Sequence, residues 1–240
     1  MADLDVDVAG ADRARAVTDV LGACVADDDD TPWPARAVAE WTLAERLQAL
    51  LAVRIATIST HTMVSVICPM CDTGMELEID LSAFLTSTPP PLATVRTSDG
   101  REVVVRLPRG VDQARWIDGA VDHPADIAAS LVTGIDGVSP SPDFRVPTHW
   151  IDDIDDALRE RDPLTALAAS ASCPECGTMT AHDIDLEALL LSELAAEQRR
   201  HLDDVYRLAS AFHWTERDIL ALPSWRRRRY LAQLDADEFP

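Results

Sequence analysis

Apolar residues recur at helical spacing in the first quarter of the chain. Residues from Ala11 to Val25 could form one amphipathic helix, which the acidic run at positions 27–30 and Pro32 would end. A second helix is predicted after Thr42, because Thr42 and Glu45 have the spacing of a capping box. Its apolar stripe consists of Leu47, Leu50, Leu51, Ile55 and Ile58.

The pattern then changes to that of short strands. β-Branched residues at 62–67 predict a strand, and the alternation at 75–79 predicts a strand that returns beside it. Positions 94–97 and 102–107 predict a hairpin, because Asp99-Gly100 between them is a favoured turn sequence.

Helices are predicted again in the second half. Two short ones run from Pro124 to Val132 and from Asp152 to Arg161, where proline and carboxylates suit the first turn. Thr215 and Ser224 have the character of N-caps for two more helices near the end, on either side of Pro223. A longer apolar stripe before them consists of Leu190, Leu194, Leu202, Val205, Leu208 and Phe212.

One local sequence occurs twice. CPMC at Cys68–Cys71 recurs as CPEC at Cys173–Cys176, and the residues that follow align without a gap. Besides the cysteines and the proline, the copies share Thr73/Thr178, Ile79/Ile184, Asp80/Asp185 and Leu81/Leu186. A chain that contains this unit twice is expected to bring the two copies together.

The repeated unit has the chemistry of half a zinc site. Two cysteines separated by two residues supply two thiolates, and a closed tetrahedral site needs four. The residue after each second cysteine often adopts a left-handed conformation, which suits Gly177 and which Asp72 tolerates. Positions 72–172, 101 residues, separate the halves, far more than in a compact ribbon. The predicted ligands of one structural Zn²⁺ per chain are Cys68, Cys71, Cys173 and Cys176.

Other uses of these cysteines are less well supported. A thioredoxin-type pair would lie between a strand and a long helix, and five cysteines in 240 residues are not a secreted disulfide framework. A catalytic zinc would need an open position and usually a histidine or carboxylate ligand. His61 and His182 lie near the motifs in sequence, but a lone histidine is more often a surface or core residue. We interpret Cys24 as a small buried hydrophobic residue.

The charge balance narrows the choice of partners. The chain has 42 acidic and 21 basic residues, a formal net charge of −21, which would repel phosphate backbones and disfavours a general nucleic-acid role. No apolar run approaches the roughly 18 residues that span a bilayer, so we expect no membrane insertion. Because no signal peptide is recognisable, we expect a cytoplasmic protein.

The last helix contains four consecutive arginines at 226–229. Such a run points around the whole helix, so carboxylates of this chain or of another protein are expected partners rather than DNA. Aromatic residues beside arginines are common anchors of protein interfaces, although they could instead close the core. The predicted partner-binding residues are Trp214, Trp225, Arg226, Arg229 and Tyr230.

Sequence motifs of catalysis are absent. The chain contains no P-loop, no G-x-S-x-G and no H-E-x-x-H motif. The aspartates at 152–156 lack the glycine and the terminal glutamate of an EF-hand loop, and they are better explained as the first turn of a helix. We therefore predict no enzyme and no small-molecule substrate.

Two further sequences accompany the CPxC motifs. Arg106-Leu107-Pro108-Arg109-Gly110 lies between them, and a closing stretch runs from Tyr206 through Phe212-His213-Trp214-Thr215-Glu216 to Tyr230-Leu231. The order of these features resembles the T4-type phage baseplate hub assembly proteins and their zinc-ribbon relatives from extracellular contractile injection systems. The resemblance covers most of residues 35–235. It implies a non-enzymatic baseplate component or assembly chaperone that contacts other baseplate or hub proteins, in the cytoplasm or within a phage tail-like particle.

The predicted fold is α+β: a split four-cysteine zinc ribbon with an inserted β-hairpin subdomain and a helical C-terminal region. Two alternatives to a baseplate role remain open at this stage. A free-standing zinc-ribbon adaptor would share the metal site, and a nucleic-acid-binding regulator would need the arginine run on an exposed positive face. The predicted segments are an acidic N-terminal segment (1–34), a helix with the first half of the ribbon (35–88), the insert (89–148), the second half of the ribbon (149–190) and the helical C-terminal region (191–240).

Overall fold

Helices and short antiparallel strands alternate along the chain, which confirms the α+β class. The computed structural model describes residues 6–9, 12–119 and 121–238, so the predicted helix start at Ala11 lies outside the described residues. The helices are α1 (Arg13–Cys24), α2 (Ala35–Ala39), α3 (Leu43–Thr57), α4 (Gly110–Ile117), α5 (Pro124–Leu131), α6 (Ile151–Arg161), α7 (Leu186–Phe212), α8 (Glu216–Ala221) and α9 (Ser224–Glu238). The strands are β1 (His61–Ile67), β2 (Gly74–Asp80), β3 (Leu92–Arg96), β4 (Glu102–Arg106), β5 (Val132–Ile135), β6 (Ala168–Ser172) and β7 (Met179–Asp183).

The strands of the described part form three separate antiparallel sheets. β1 pairs with β2 and β6 pairs with β7, each as a two-stranded hairpin, whereas β3, β4 and β5 form one three-stranded sheet. The strands predicted at 62–67 and 75–79 and the hairpin around Asp99-Gly100 are confirmed. Both the β1–β2 and the β6–β7 hairpins carry a cysteine motif at their turn.

α1, α3 and the first half of α7 pack together into the main core. The predicted capping box begins α3: the Thr42 N–H donates to Glu45 Oε2 at 2.7 Å, and the Glu45 N–H donates to Thr42 Oγ1 at 3.2 Å. The largest contribution to the core comes from buried aliphatic side chains of the three helices, among them Val17, Val20, Leu21, Leu50, Leu51, Leu190 and Leu194.

A guanidinium group bonded to backbone carbonyls lies inside the main core. Arg46 is 0% exposed, and it donates to the Ala14 carbonyl at 2.7 Å, the Val38 carbonyl at 3.1 Å and the Thr18 hydroxyl at 3.0 Å. Burial lowers the pKa of Arg46, and the nearby charge of Glu187 opposes that shift. These hydrogen bonds hold α1 and α2 against α3, because the carbonyl groups of α1 and α2 stabilise the guanidinium charge that water cannot reach.

A second core lies between the two cysteine hairpins in sequence. It forms where the β3–β4–β5 sheet packs against α5 and α6. The two ends of this segment meet, since Arg161 Nη2 donates to the Leu92 carbonyl at 2.8 Å. The buried residues of this core include Ala93, Val95, Val103, Val105, Ala128, Val132, Trp150 and Ile154. The boundaries of the five predicted chain segments, from the acidic N-terminal segment to the helical C-terminal region, remain predictions.

The helical C-terminal region forms a third cluster, which we call the C-terminal unit: the last turns of α7 together with α8 and α9. Leu208, Ile219 and Leu231 are buried at its centre. Three aromatic rings pack around them, with ring centroids 4.8 Å apart for Phe212 and Trp214 and 5.0 Å apart for Trp214 and Tyr230.

Two details of the predicted C-terminal helices are wrong. Leu202 was placed on the packing side of α7, but it is 58% exposed, because α7 leaves the main core there before it reaches α8 and α9. Ser224 was predicted to precede its helix, but it is the first residue of α9, and the N–H groups of Arg226 and Arg227 donate to the carbonyl of Pro223. Thr215 caps α8 as predicted.

Gly110, the first residue of α4, should be essential for the packing around Arg46. A Cβ at Gly110 would lie 2.5 Å from Arg46 Nη1, so Gly110→Ala should lower the free energy of unfolding by about 1–3 kcal/mol. Gly22→Ala is the matched control, because its Cβ would lie 3.6 Å from the nearest atom and alanine suits a helix. Urea denaturation of both variants measures the difference; equal stabilities would contradict the role assigned to Gly110.

Candidate metal centre

The four cysteines come from the turns of the two hairpins. Cys68 follows β1 directly and Cys71 lies in the turn towards β2, while Cys173 follows β6 and Cys176 lies in the turn towards β7. The turns sit at corresponding positions because each strand pair is antiparallel and in register up to the motif.

The backbone has the same geometry in both turns. In the first, the Cys68 N–H donates to the Thr73 carbonyl at 2.9 Å; in the second, the Cys173 N–H donates to the Thr178 carbonyl at 3.0 Å. The residue after each second cysteine is left-handed as predicted, with φ of 57° at Asp72 and 71° at Gly177. The sequence repeat is therefore a structural repeat.

The four sulfur atoms lie close together. All four Sγ atoms are within 4.8 Å of one another, with 3.8 Å between Cys68 and Cys176 and 3.5 Å between Cys71 and Cys173. A tetrahedron with metal–sulfur bonds of about 2.3 Å has edges of about 3.8 Å, so this spacing fits one tetrahedral ion. It does not fit disulfides, whose sulfurs are about 2.05 Å apart.

The hairpin backbone favours thiolate at two of the ligands. The hydroxyl and the N–H of Thr178 bond the Cys176 sulfur and lower its pKa to about 6. Thr73 does the same at Cys71 and lowers the pKa of that thiol. Thr73 and Thr178 were not among the predicted site residues, although their identity in the two copies was a signal for them.

Cys68 shows the opposite balance. The N–H of Met70 favours its thiolate, but burial and the adjacent thiols of Cys71 and Cys173 outweigh that bond and raise the pKa of Cys68 to about 11. Four thiols this close cannot all ionise easily on their own, because the thiolates repel one another. A divalent cation would remove that obstacle by neutralising the thiolates, with release of their protons.

The donor set therefore fits a metal ion. Four cysteine sulfurs within one ion's reach are soft ligands that suit zinc or iron, and they leave no open coordination position. The two histidines near the motifs have other partners: His182 Nε2 lies 2.7 Å from Thr180 Oγ1 and His61 Nδ1 lies 2.9 Å from Thr60 Oγ1.

The bases of both hairpins are fixed to the main core by ion pairs. Arg54 is 2% exposed, donates to Glu193 at 2.7 Å, and bonds the carbonyl of His61 at the start of β1 at 3.0 Å. Arg13 bonds Asp185, which lies two residues after β7 and caps α7, with 2.6 Å between Nη1 and Oδ2. α1, α3 and α7 thus set the positions of the hairpins, and the cysteines lie at their far ends.

The predicted partner-binding residues occupy two different environments, away from the cysteines. Trp214 and Tyr230 pack in the aromatic cluster of the C-terminal unit, whereas Trp225 is 63% exposed. Arg226 and Arg229 are also exposed. Partner binding by these five residues remains a prediction. Of the three aromatic residues, Trp225 is the best placed to contact a partner, because it is exposed.

Two other sequence interpretations have definite outcomes. Cys24 is exposed, not buried as predicted, because it is the last residue of α1 and faces away from the core. Asp152 and Asp153 lie in the first turn of α6 as predicted. Asp153 accepts from the Ser98 N–H at 2.7 Å, and Asp155 pairs with Arg159 at 2.7 Å.

Comparison with known protein families gives a match. A family model described as T4 bacteriophage base plate protein matches residues 8–190, which include both cysteine motifs but not the closing stretch from Tyr206. No curated protein and no solved structure matches the chain significantly. None of the helices in the described part has the length and apolar character required to cross a membrane. Because the match covers more than half of its residues, the chain belongs to the T4 bacteriophage base plate protein family.

Proposed function

We propose that this protein is a zinc-binding, non-enzymatic component or assembly chaperone of the baseplate of a contractile injection system or phage tail-like particle. The observation that carries the proposal is the coincidence of the family match with a four-cysteine cluster inside the matched residues. A baseplate part must hold its shape while it contacts several neighbours, and a closed metal site provides rigidity without catalysis.

Zinc is the favoured ion for chemical reasons. Four thiolates in a closed tetrahedral arrangement are typical of structural zinc, which has no redox chemistry that would disturb the site. Cys68 and Cys173 are buried, while Cys71 and Cys176 are exposed, so the ion would lie near the surface but beneath the second cysteine of each motif. The metal would act as a clamp between the β1–β2 and β6–β7 hairpins.

The proposed partners are other baseplate or hub proteins. The metal clamp would join the zinc ribbon and the main core into one rigid body. The insert and the C-terminal unit, which are attached to that body, would supply the surfaces that contact partners. We place the protein in the cytoplasm during assembly or within the finished particle. Cells that produce the particle without this protein should yield sheaths that lack baseplates in electron micrographs; normal particles would contradict the proposal.

The purified protein should contain one zinc per chain. Four cysteines fill one tetrahedral site, so elemental analysis after purification without added metal should give a zinc-to-protein ratio of about one. Cys24→Ser is the control, since Cys24 lies outside the cluster and its loss should leave the ratio unchanged. Iron in place of zinc, or no metal, would refute the assignment of the ion.

The two cysteine pairs should act as a single unit. Cys68→Ser/Cys71→Ser and Cys173→Ser/Cys176→Ser should each abolish metal binding, because half a site cannot hold the ion. Each should lower the melting temperature by roughly 10 °C or more, since metal binding contributes folding free energy.

The quadruple variant should be no less stable than either pair variant. Non-additive losses are the signature of groups that act through one shared ion. Calorimetry and elemental analysis of the three variants test this, and losses that add up between the pairs would point to two separate sites instead.

Trp225 should bind a partner, whereas Trp214 should stabilise the fold. Trp225→Ala should abolish co-purification with baseplate proteins and leave the melting temperature unchanged, because the ring is 63% exposed. Trp214→Ala should instead lower the free energy of unfolding by about 1–3 kcal/mol, because that ring packs against Phe212 and Tyr230. Unchanged co-purification of Trp225→Ala would remove Trp225 from the interface.

A further inference from the structure

A cleft of about 1000 Å³ separates the main core from the C-terminal unit. The ends of α1 and α3 form one wall, and α7 with the beginning of α9 forms the other. Its lining includes apolar side chains from α3 and its C-cap and cationic side chains from α7 and α9: Val53, Ala56, Ile58, Arg200, Arg227 and Arg228. We propose that this cleft binds a short acidic segment of another baseplate protein, with Arg227 and Arg228 pairing its carboxylates.

The arginines of α9 are available for such a partner. Elsewhere in the chain, arginines such as Arg13, Arg54 and Arg106 are held by carboxylates. Among the described residues, no ion pair joins any of residues 226–229 to a carboxylate, although the chain has 42 acidic residues for 21 basic ones. Four adjacent guanidinium groups with no ion pair among the described residues are free to pair with carboxylates of another molecule.

The cationic side chains that line the cleft outnumber its carboxylates. Glu197 is already engaged, since Arg200 pairs with it at 2.5 Å and His201 lies 3.4 Å from it. Asp204 is the other carboxylate in the lining, whereas Arg200, Arg227 and Arg228 supply three guanidinium groups. The N-terminus of α9 at Ser224 adds partial positive charge to the same wall, because helix N-terminal N–H groups favour anions.

The charge is distributed unevenly along the chain. Residues 1–190 hold 33 acidic and 13 basic residues, whereas residues 191–240 hold nine acidic and eight basic. An acidic partner is therefore repelled by most of the protein and least by the C-terminal unit. That electrostatic contrast would direct an acidic segment to the cleft and fix its orientation.

The size and the apolar floor of the cleft fit a peptide segment. A volume of 1000 Å³ holds about two turns of an α-helix, whose diameter with side chains is roughly 10–12 Å. Ile58 is 37% exposed and could contact an aliphatic side chain of the segment. Duplex DNA fits less well, because its continuous phosphate charge would extend over the acidic main core.

The test uses the full-length, metal-loaded protein and a fluorescein-labelled peptide with glutamate on one face of a predicted helix and leucine on the other. Fluorescence anisotropy should detect binding that weakens as salt is added, and a peptide with glutamine in place of glutamate should not bind. Arg227→Glu/Arg228→Glu should weaken the glutamate peptide at least about tenfold, because two ion pairs become repulsive contacts.

Arg199→Glu/Arg217→Glu is the matched control. It makes the same change of charge at two exposed arginines of the helical C-terminal region, but neither residue lines the cleft, so it should change the affinity by about twofold or less. Thermal melting should confirm that both double variants are folded. Equal losses in the two variants, or no binding of the glutamate peptide to the unmodified protein, would overturn the proposal.

Two rival occupants are tested in parallel. Tighter binding of a DNA duplex than of the peptide would assign the cleft to nucleic acid, and a concentration-dependent dimer lost in Arg227→Glu/Arg228→Glu would assign it to a second copy of this chain. Either result overturns the proposal.

The proposal rests on the proposed function in one respect, because it names a baseplate protein as the source of the acidic segment. If the protein binds the peptide but captures no baseplate proteins on co-purification, the baseplate role of the cleft is refuted, whereas the peptide-binding site itself is supported. Capture that survives in Arg227→Glu/Arg228→Glu would refute the cleft and leave the proposed function intact.

Discussion

The arrangement of the two cysteine hairpins depends on one constraint. Their four thiol groups must lie close enough together to bind a single ion. The β1–β2 and β6–β7 hairpins are separate two-stranded sheets, and such hairpins are only marginally stable alone. Their bases are held by Arg54 and Arg13, but their turns meet at the cysteines, where Val66 and Met75 supply a small apolar contact. A shared ion would convert two weak hairpins into one rigid element.

The structure also explains how motifs 101 residues apart, at positions 72–172, can form one site. Closing a long flexible loop costs conformational entropy, but the intervening segment has its own core. Arg161 bonds the carbonyl of Leu92, so the two ends of that segment are already adjacent. The metal therefore does not have to close a disordered loop, and the insert can vary without disturbing the cysteines.

Local spacing was enough to predict the cysteine turns, because CPxC and the following left-handed residue determine their own geometry. Apart from the pairing of the two cysteine motifs, contacts between distant segments could not be predicted. Arginine is rarely buried, so nothing in the sequence distinguished Arg46 from exposed arginines. Cys24 has apolar neighbours in sequence and Leu202 has apolar residues at helical spacing, yet both are exposed, because their surroundings depend on where α1 ends and where α7 leaves the core.

α7 connects the two parts of the molecule that we assign to metal binding and to recognition. Its 27 residues span about 40 Å, and they are packed at one end in the main core and at the other in the C-terminal unit. Glu193 on this helix bonds both Arg54 and Thr62 at the base of β1. A load on the C-terminal unit would therefore reach the two cysteine hairpins through one helix and one carboxylate. This direct connection would make the proposed metal clamp useful to a baseplate part, because a partner held at the far end can be positioned only if the base of α7 does not yield.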